Sequence, residues 1–421
     1  MSQSPLPSAS AADPVPSAAG PAPSPGVSLS VTMAILGVSS LTVMANATIA
    51  PALPGLRDHF ADTPGIETLA GLVVTLPSLF VVLTAGVVGV LADRMDRRMM
   101  VLVAMVLYGL GGASGLIAES MLGLLAGRVL LGLGVAGTMT VSSAYVGTLW
   151  HGAARERFTG LQVAAMNVGG IVFMTTGGLL AGMHWRAPFG IYLVALPIMV
   201  YSWVMLGRVP RRVEPGAAQP DGQVAHDAPF PWAAFFWVGP LAMLLMITFY
   251  ALPTRLPFLL NERGIEDPLI TGMILSCTTF ASIPGALGYG RIRRYLSPKA
   301  IMSVGFLLMA AGIAMVALAP VLWITVAGVL LTGLPLGMMF PNFMAYFMGL
   351  VPPPLRGRAS GLMTMAIFGG QFISPLVSAP LIHGLGLAQG MLAIAVLPLL
   401  AGVYVALTNG GGSAPSRPAE V

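Results

Sequence analysis

Residues 121–141 read MLGLLAGRVLLGLGVAGTMTV, an apolar run in which Arg128 is the one charged side chain. About 20 such residues, at roughly 1.5 Å each, carry a helix across the hydrocarbon core of a bilayer. The run is too long, and too rich in Leu, Gly and Ala without period-two alternation, for a strand of a membrane barrel. It extends over 121–149. Similar stretches lie near 28–54, 68–92, 99–118, 158–183, 188–207, 232–260, 269–290, 300–319, 321–350, 357–383 and 387–408. The composition agrees: 56% of the 421 residues are hydrophobic, 8% are charged, and the mean hydropathy is +0.86. The expected fold is an all-α polytopic membrane protein with about twelve transmembrane helices.

A formal charge of +5 could suggest a nucleic-acid partner, but the basic residues are parcelled between the spans. Alternate loops hold Arg94, Arg97, Arg98, Arg155, Arg157, Arg208, Arg211, Arg212, Arg291, Arg293, Arg294, Lys299, Arg356 and Arg358; the other loops hold Arg57, Arg186, Arg255 and Arg263. This asymmetry places the first set and both termini in the cytoplasm and reports topology, so membrane lipid is an expected partner and nucleic acid is not. Residues 1–27 and 409–421, rich in Pro, Ser, Ala or Gly, are expected to be disordered cytoplasmic tails. The single Cys277, inside the eighth span, allows no intrachain disulfide and no Cys-based metal site. No pair among His59, His151 and His226 has metal-ligand spacing, so neither metal nor cofactor is expected.

The chain repeats itself. Shifting spans four and five by 201 residues lays Gly127, Gly132, Tyr145, Arg155, Arg157, Gly160, Leu161 and Gly169 on Gly328, Gly333, Tyr346, Arg356, Arg358, Gly361, Leu362 and Gly370. Two pseudo-symmetric six-helix bundles are implied, 28–207 and 232–408, joined by a polar cytoplasmic linker at 208–231. Six spans per half make the repeats parallel, about an axis along the membrane normal. Two such bundles rocking about a central site can expose it to each side in turn, which favours transport.

Between spans two and three the sequence runs Gly89-Val90-Leu91-Ala92-Asp93-Arg94-Met95-Asp96-Arg97-Arg98. This resembles the cytoplasmic loop signature of the major facilitator superfamily, and the twelve-span layout over 28–408 resembles that family as a whole. The resemblance implies that Gly89, Asp93, Arg94, Arg97 and Arg98 form a gating loop that latches the halves when the cytoplasmic side is closed. Asp96 stands where the family usually has a glycine. Plain anchoring of the arginines on the cytoplasmic side explains them equally well. In span four, Leu124, Arg128, Gly132, Gly134 and Ala136 match a family pattern with an arginine tied to proton coupling in exporters; Leu131 replaces a common glutamine. In span five, Gly160, Gly169, Gly177 and Gly178 match the family's antiporter motif, with Phe173 and Met174 in place of its Gly-Pro. Close helix packing is the ordinary alternative reading of these glycines.

An intramembrane charge is costly and mostly lines a pathway. Helical spacing sets Thr138, Ser142 and Tyr145 near Arg128, so one face of span four should line a wet cavity. No acid is embedded opposite it, and Asn46, at similar depth on a polar stripe of span one, is expected to face Arg128. Glu67, Glu119, His184, Glu262 and His383 lie near the outer surface and read as solvated ends, with Glu119 the best candidate among them for coupling. By resemblance spans one, four, seven and ten line the cavity, which nominates Asn46, Arg128, Ser142, Tyr250, Asn342 and Tyr346, with Gln371 on span eleven. A lone cation suits a neutral, zwitterionic or anionic small organic substrate. Embedded nucleophile–base pairs, metal ligands and a phosphate-binding loop are missing from the sequence, which argues against an enzyme and against ATP as the energy source. The expected function is proton-coupled export of a drug-like compound or metabolite by a monomer in the inner membrane, with an uptake permease or a transporter-like sensor as alternatives.

Overall fold

The computed structural model describes residues 27–207 and 229–409. The tails expected at 1–27 and 409–421 and the linker at 208–231 lie, except for their edge residues, outside the described residues. Twelve helices long and apolar enough to cross a membrane run through the rest. Span 1 is Leu29–Ala47 continued by Leu53–His59, and the others are Ile66–Arg94, Arg97–Ala113, Met121–Leu149, Gly152–Met183, Ala195–Leu206 preceded by a 3-10 segment, Trp232–Glu262, Pro268–Tyr295, Pro298–Leu318, Leu322–Leu350, Arg356–Leu385 and Leu387–Asn409. They are numbered 1 to 12 below.

Local chemistry sets the helix starts. Asp96, Ser120, Asp267 and Ser297 each accept a backbone N–H of the following turn, at 2.9, 3.1, 2.8 and 3.1 Å. Such caps satisfy donors that a helix start leaves free. Asp96, the residue that departs from the family loop, is therefore the N-cap of span 3. Pro268 and Pro298 fill first-turn positions that need no N–H. Span 1 breaks after Ala47 and resumes as a short 3-10 turn at Ala50–Ala52. Pro51 and Pro54 lack the N–H groups that would continue the helix ladder across the break.

The 201-residue repeat is a packing repeat. A Cβ on Gly111 of span 3 would meet the Gly127 carbonyl of span 4 at 2.7 Å, and one on Gly312 of span 9 would meet the Gly328 carbonyl of span 10 at 2.6 Å. Gly132 abuts the Pro77 carbonyl of span 2, and Gly333 abuts that of Thr278 in span 8. Each partner differs from its counterpart by the same 201. Arg98 and Lys299 obey it too: Arg98 Nε donates to the Trp203 carbonyl at 2.9 Å and Lys299 Nζ to that of Thr408 at 3.4 Å, tying span 3 to span 6 and span 9 to span 12. We expect Gly333→Ala to lower stability by about 1–3 kcal/mol, because the added methyl overpacks against backbone that cannot step aside. Gly361→Ala, which points into open space, should be neutral in the same detergent melt.

Among the described residues, the two bundles meet at one end only. Span 2 packs on span 11 and span 5 on span 8. At the end remote from the termini, an added Cβ would hit the opposite bundle: Gly71 meets Pro375 at 2.7 Å, Gly178 meets Pro268 at 2.5 Å, and Gly272 meets Met174 at 2.5 Å. In the halves of the same spans nearer the arginine-rich loops, Gly86, Gly89, Gly160, Gly290, Gly357 and Gly361 have nothing within 4 Å. The far end is closed and the basic end is open. Gly160, expected to pack against a neighbouring helix, thus has none there; Gly169, Gly177 and Gly178 do, against Ser40, the Thr48 carbonyl and span 8. Also at the far end, Arg263 caps the end of span 9 through the Val316 and Ala317 carbonyls at 2.9 and 2.6 Å. Burial holds its pKa below the ordinary arginine value, against the opposing pull of Glu262.

Candidate functional site

Where the closed end gives way to the open one, four neutral side chains from both bundles converge. Asn46, the last residue but one before the break in span 1, donates Nδ2 to Ser78 Oγ of span 2 at 3.3 Å, Tyr250 Oη of span 7 at 3.3 Å and Gln371 Oε1 of span 11 at 3.2 Å. Ser78 donates to the same Gln371 oxygen at 2.7 Å. Asn46 Oδ1 is buried without a partner. The Gln371 amide donates only a long contact to Met246 Sδ, 3.9 Å. Two amide hydrogens are shared among three acceptors, and the Asn46 oxygen is left as a buried orphan acceptor. A buried polar atom in that condition costs about 1–3 kcal/mol until something donates to it. On the other side of the same level, Ser282 of span 8 donates to Asn167 Oδ1 of span 5 at 3.3 Å. These groups form the floor of the space that opens toward the basic end. Of the residues expected to line the cavity, Asn46, Tyr250 and Gln371 are brought together. Ser78, a mid-span hydroxyl beside Pro77, was not anticipated.

Arg128 is elsewhere. It is fully buried inside the first bundle, where Nη2 donates to the Gly112 carbonyl of span 3 at 2.8 Å. Its guanidinium carbon lies 4.9 Å from the Phe189 ring and 5.2 Å from the Tyr192 ring. The expected pairing with Asn46 is therefore overturned, because the two residues share a depth but not a direction: Asn46 points to the seam between bundles and Arg128 into a bundle's interior. On the polar face of span 4, Thr138, Ser142 and Tyr145 are all buried, and Ser142 Oγ has no partner. Arg128 reaches span 1 only through its neighbours. Tyr192 donates to the Ala45 carbonyl at 2.8 Å and Tyr108 to the Leu41 carbonyl at 2.7 Å. Ala45 precedes Asn46, and the broken helix beyond it supplies no regular partner for that carbonyl.

The remaining expected residues separate. Asn342 ties span 10 to the start of span 9 by donating to the Pro298 carbonyl at 2.9 Å, and it accepts from Tyr289 at 3.4 Å. It is a packing residue rather than a wall of the cavity. Tyr346 rests on Trp237, ring centres 5.8 Å apart, toward the basic end and away from the floor. Glu119 is exposed in the turn before span 4. In the loop expected to latch the halves, Arg97 donates to Thr148 at 3.3 Å and Arg98 stacks 4.0 Å over Trp203, both within the first bundle. The side chains of Asp93 and Arg94 lie outside the described residues.

Arg255, counted above among loop arginines, is a second buried cation. The helix of span 7 runs on to Glu262, so Arg255 sits inside it, 1% exposed. Nε donates to Ser378 at 2.9 Å, Nη2 to the Pro375 carbonyl at 3.1 Å and Nη1 to the Glu67 carbonyl at 3.4 Å. His383 and Glu67, expected as solvated ends, face each other at 3.0 Å across the bundles.

The comparisons with known proteins agree with this architecture. The model of the Major Facilitator Superfamily matches residues 35–375 and 267–420. Tetracycline resistance protein, class C, of Escherichia coli is 31% identical over 157 residues, which are 37% of this chain and only 39% of that relative. The multidrug efflux pump Tap of Mycobacterium bovis is 25% identical over 385 residues, 85% of this chain and 88% of the relative. Among solved structures, a bacterial homologue of the human lysosomal transporter Spinster, described as inward-facing and occupied, shares the fold with a TM-score of 0.73 at 17% identity, covering 92% of this chain and 98% of that one. With twelve helices in two repeated bundles and a family match along most of its length, the chain belongs to the major facilitator superfamily.

Proposed function

We propose that this chain exports an uncharged or zwitterionic organic molecule from the cytoplasm across the inner membrane, by alternating access and at the expense of a proton gradient. The observation that carries the reading is the floor at the seam: an unpartnered Asn46 Oδ1 beside the Tyr250 hydroxyl and the Gln371 amide. That set offers one acceptor and two donors with no formal charge, at the level where the two repeats meet. Arg128, sealed inside the first bundle, gives no reason to favour an anion. The arginine-rich loops at the open end support a cytoplasm-facing conformation with both termini on that side. The efflux activity named for one of the curated relatives, the multidrug pump Tap, supports export over uptake. The test is flux in everted membrane vesicles with a panel of uncharged, zwitterionic, anionic and cationic compounds. Uncharged or zwitterionic members should accumulate when the vesicle interior is acidified, and the accumulation should collapse with a protonophore. Accumulation indifferent to every imposed ion gradient would contradict the coupled reading, and loss of preloaded compound on acidification would reverse the direction.

A further inference from the structure

On the side where span 2 meets spans 7 and 11, the contacts that shut the far end converge on one residue. Glu67 opens the first turn of span 2, in the first bundle. His383, in the last turn of span 11, brings Nε2 to 3.0 Å from its carboxylate, with the two side chains 53% and 44% exposed. From span 7, the buried Arg255 donates to the Glu67 backbone carbonyl while its other nitrogens hold Ser378 and Pro375 of span 11. One turn deeper in span 2, Gly71 closes on Pro375 of span 11. Spans 7 and 11 belong to the second bundle, so every contact to Glu67 must break when the far end opens.

We infer that Glu67, His383 and Arg255 form a far-side latch whose strength follows the proton concentration outside the closed end. The inference rests on reading the chain as an alternating-access transporter. The imidazole can donate from Nε2 when neutral, but only the imidazolium adds a charge opposite the carboxylate. Histidine as a residue type gains that charge between about pH 8 and 5. The groups facing the pair are known: Arg57 from the outer helix of span 1, Arg255 from within span 7 and Glu262 at its end, all lining one outer pocket of about 240 Å³ with Glu67 and His383. Arg57 is already paired with Asp58 at 2.9 Å. Arg57 and Arg255 thus bring positive charge to the pocket, and Glu67 and Glu262 bring negative charge. Because the pocket opens to the far side, a proton taken up there returns there. The latch therefore senses pH and biases the conformational equilibrium without carrying the coupled proton across.

The full chain in lipid nanodiscs, with Cys277→Ser and spin labels at Asp62→Cys and Leu385→Cys, reads far-end opening as a distance distribution at pH 8 and pH 6. The closed-to-open ratio should rise about two- to fivefold at pH 6, the effect of a partly exposed ion pair. His383→Ala should remove the pH response, His383→Lys should hold the ratio high at both pH values, and the exchange Glu67→His with His383→Glu should restore it. A response that survives His383→Ala, or no response in the parent chain, overturns the latch. Flux measured on the same protein variants in sealed proteoliposomes separates this from failure of the transporter reading: without the latch, substrate still moves.

Discussion

Arg128→Met is expected to leave a folded protein that transports at least about tenfold more slowly, with little change in KM. Moving a guanidinium out of water into a dry interior costs several kcal/mol even after relaxation. Against that, Arg128 donates to the Gly112 carbonyl at 2.8 Å, a hydrogen bond of about 1.5–3 kcal/mol for a charged donor. The two aromatic faces add about 0.5–2 kcal/mol each. These nearly cancel, and Nε and Nη1 have no partner. Stability therefore does not explain the arginine, and methionine, which keeps most of the volume, should melt within about 2 kcal/mol of the parent. What the substitution removes is the brace behind Tyr192, whose hydroxyl holds the Ala45 carbonyl at the break in span 1. A loosened break should slow the rocking step, and tenfold in rate needs only about 1.4 kcal/mol. Arg128→Lys should not rescue, because an ammonium lacks the planar fork that spans a carbonyl and two ring faces. Transport at the parent rate in either variant would show that the residue is packing only.

Asn46 should fail in the opposite way. Asn46→Leu takes the amide donor from the Tyr250 hydroxyl, at about 1–3 kcal/mol unless it finds a new partner, and leaves Ser78 and Gln371 bonded to each other. The substrate also loses the one free acceptor on the floor. KM should rise about 10- to 100-fold with turnover less affected, the signature of an interaction made equally throughout the cycle. Asn46→Asp keeps the shape but sets a carboxylate on an uncharged floor. It should weaken uncharged substrates by about tenfold or more and admit cationic analogues that the parent rejects. Unchanged KM and unchanged selectivity in both variants would remove Asn46 from the site.

Much of the architecture was legible in the chain because the bilayer imposes it. Twelve apolar runs follow from backbone satisfaction in lipid, and the packing of Gly132 on Pro77 and Gly333 on Thr278 follows the 201-residue register closely. The site was legible only in part. Asn46, Tyr250 and Gln371 stood out as polar groups at mid-depth on spans that line such cavities. Depth, however, says nothing of azimuth. The partners of Arg128 are a glycine carbonyl and two aromatic rings, residue types that read as plain packing, so the sequence offered in their place Asn46, an amide at a similar depth. Arg255 was misplaced for a related reason: a helix that runs on past Pro253 and Pro257 does not announce where it ends. Glu67 and His383 are brought together by the closure of two bundles, and nothing local in either stretch encodes their meeting.

The central claim is that substrate rests on the uncharged floor while Arg128 acts at a distance from it. Equilibrium binding of one transported compound to purified protein tests this most directly, comparing Asn46→Leu with Arg128→Met against the parent chain. The account predicts an affinity lost by about tenfold or more in the first and kept within about twofold in the second. Binding that survives in Asn46→Leu and collapses in a folded Arg128→Met protein would contradict it.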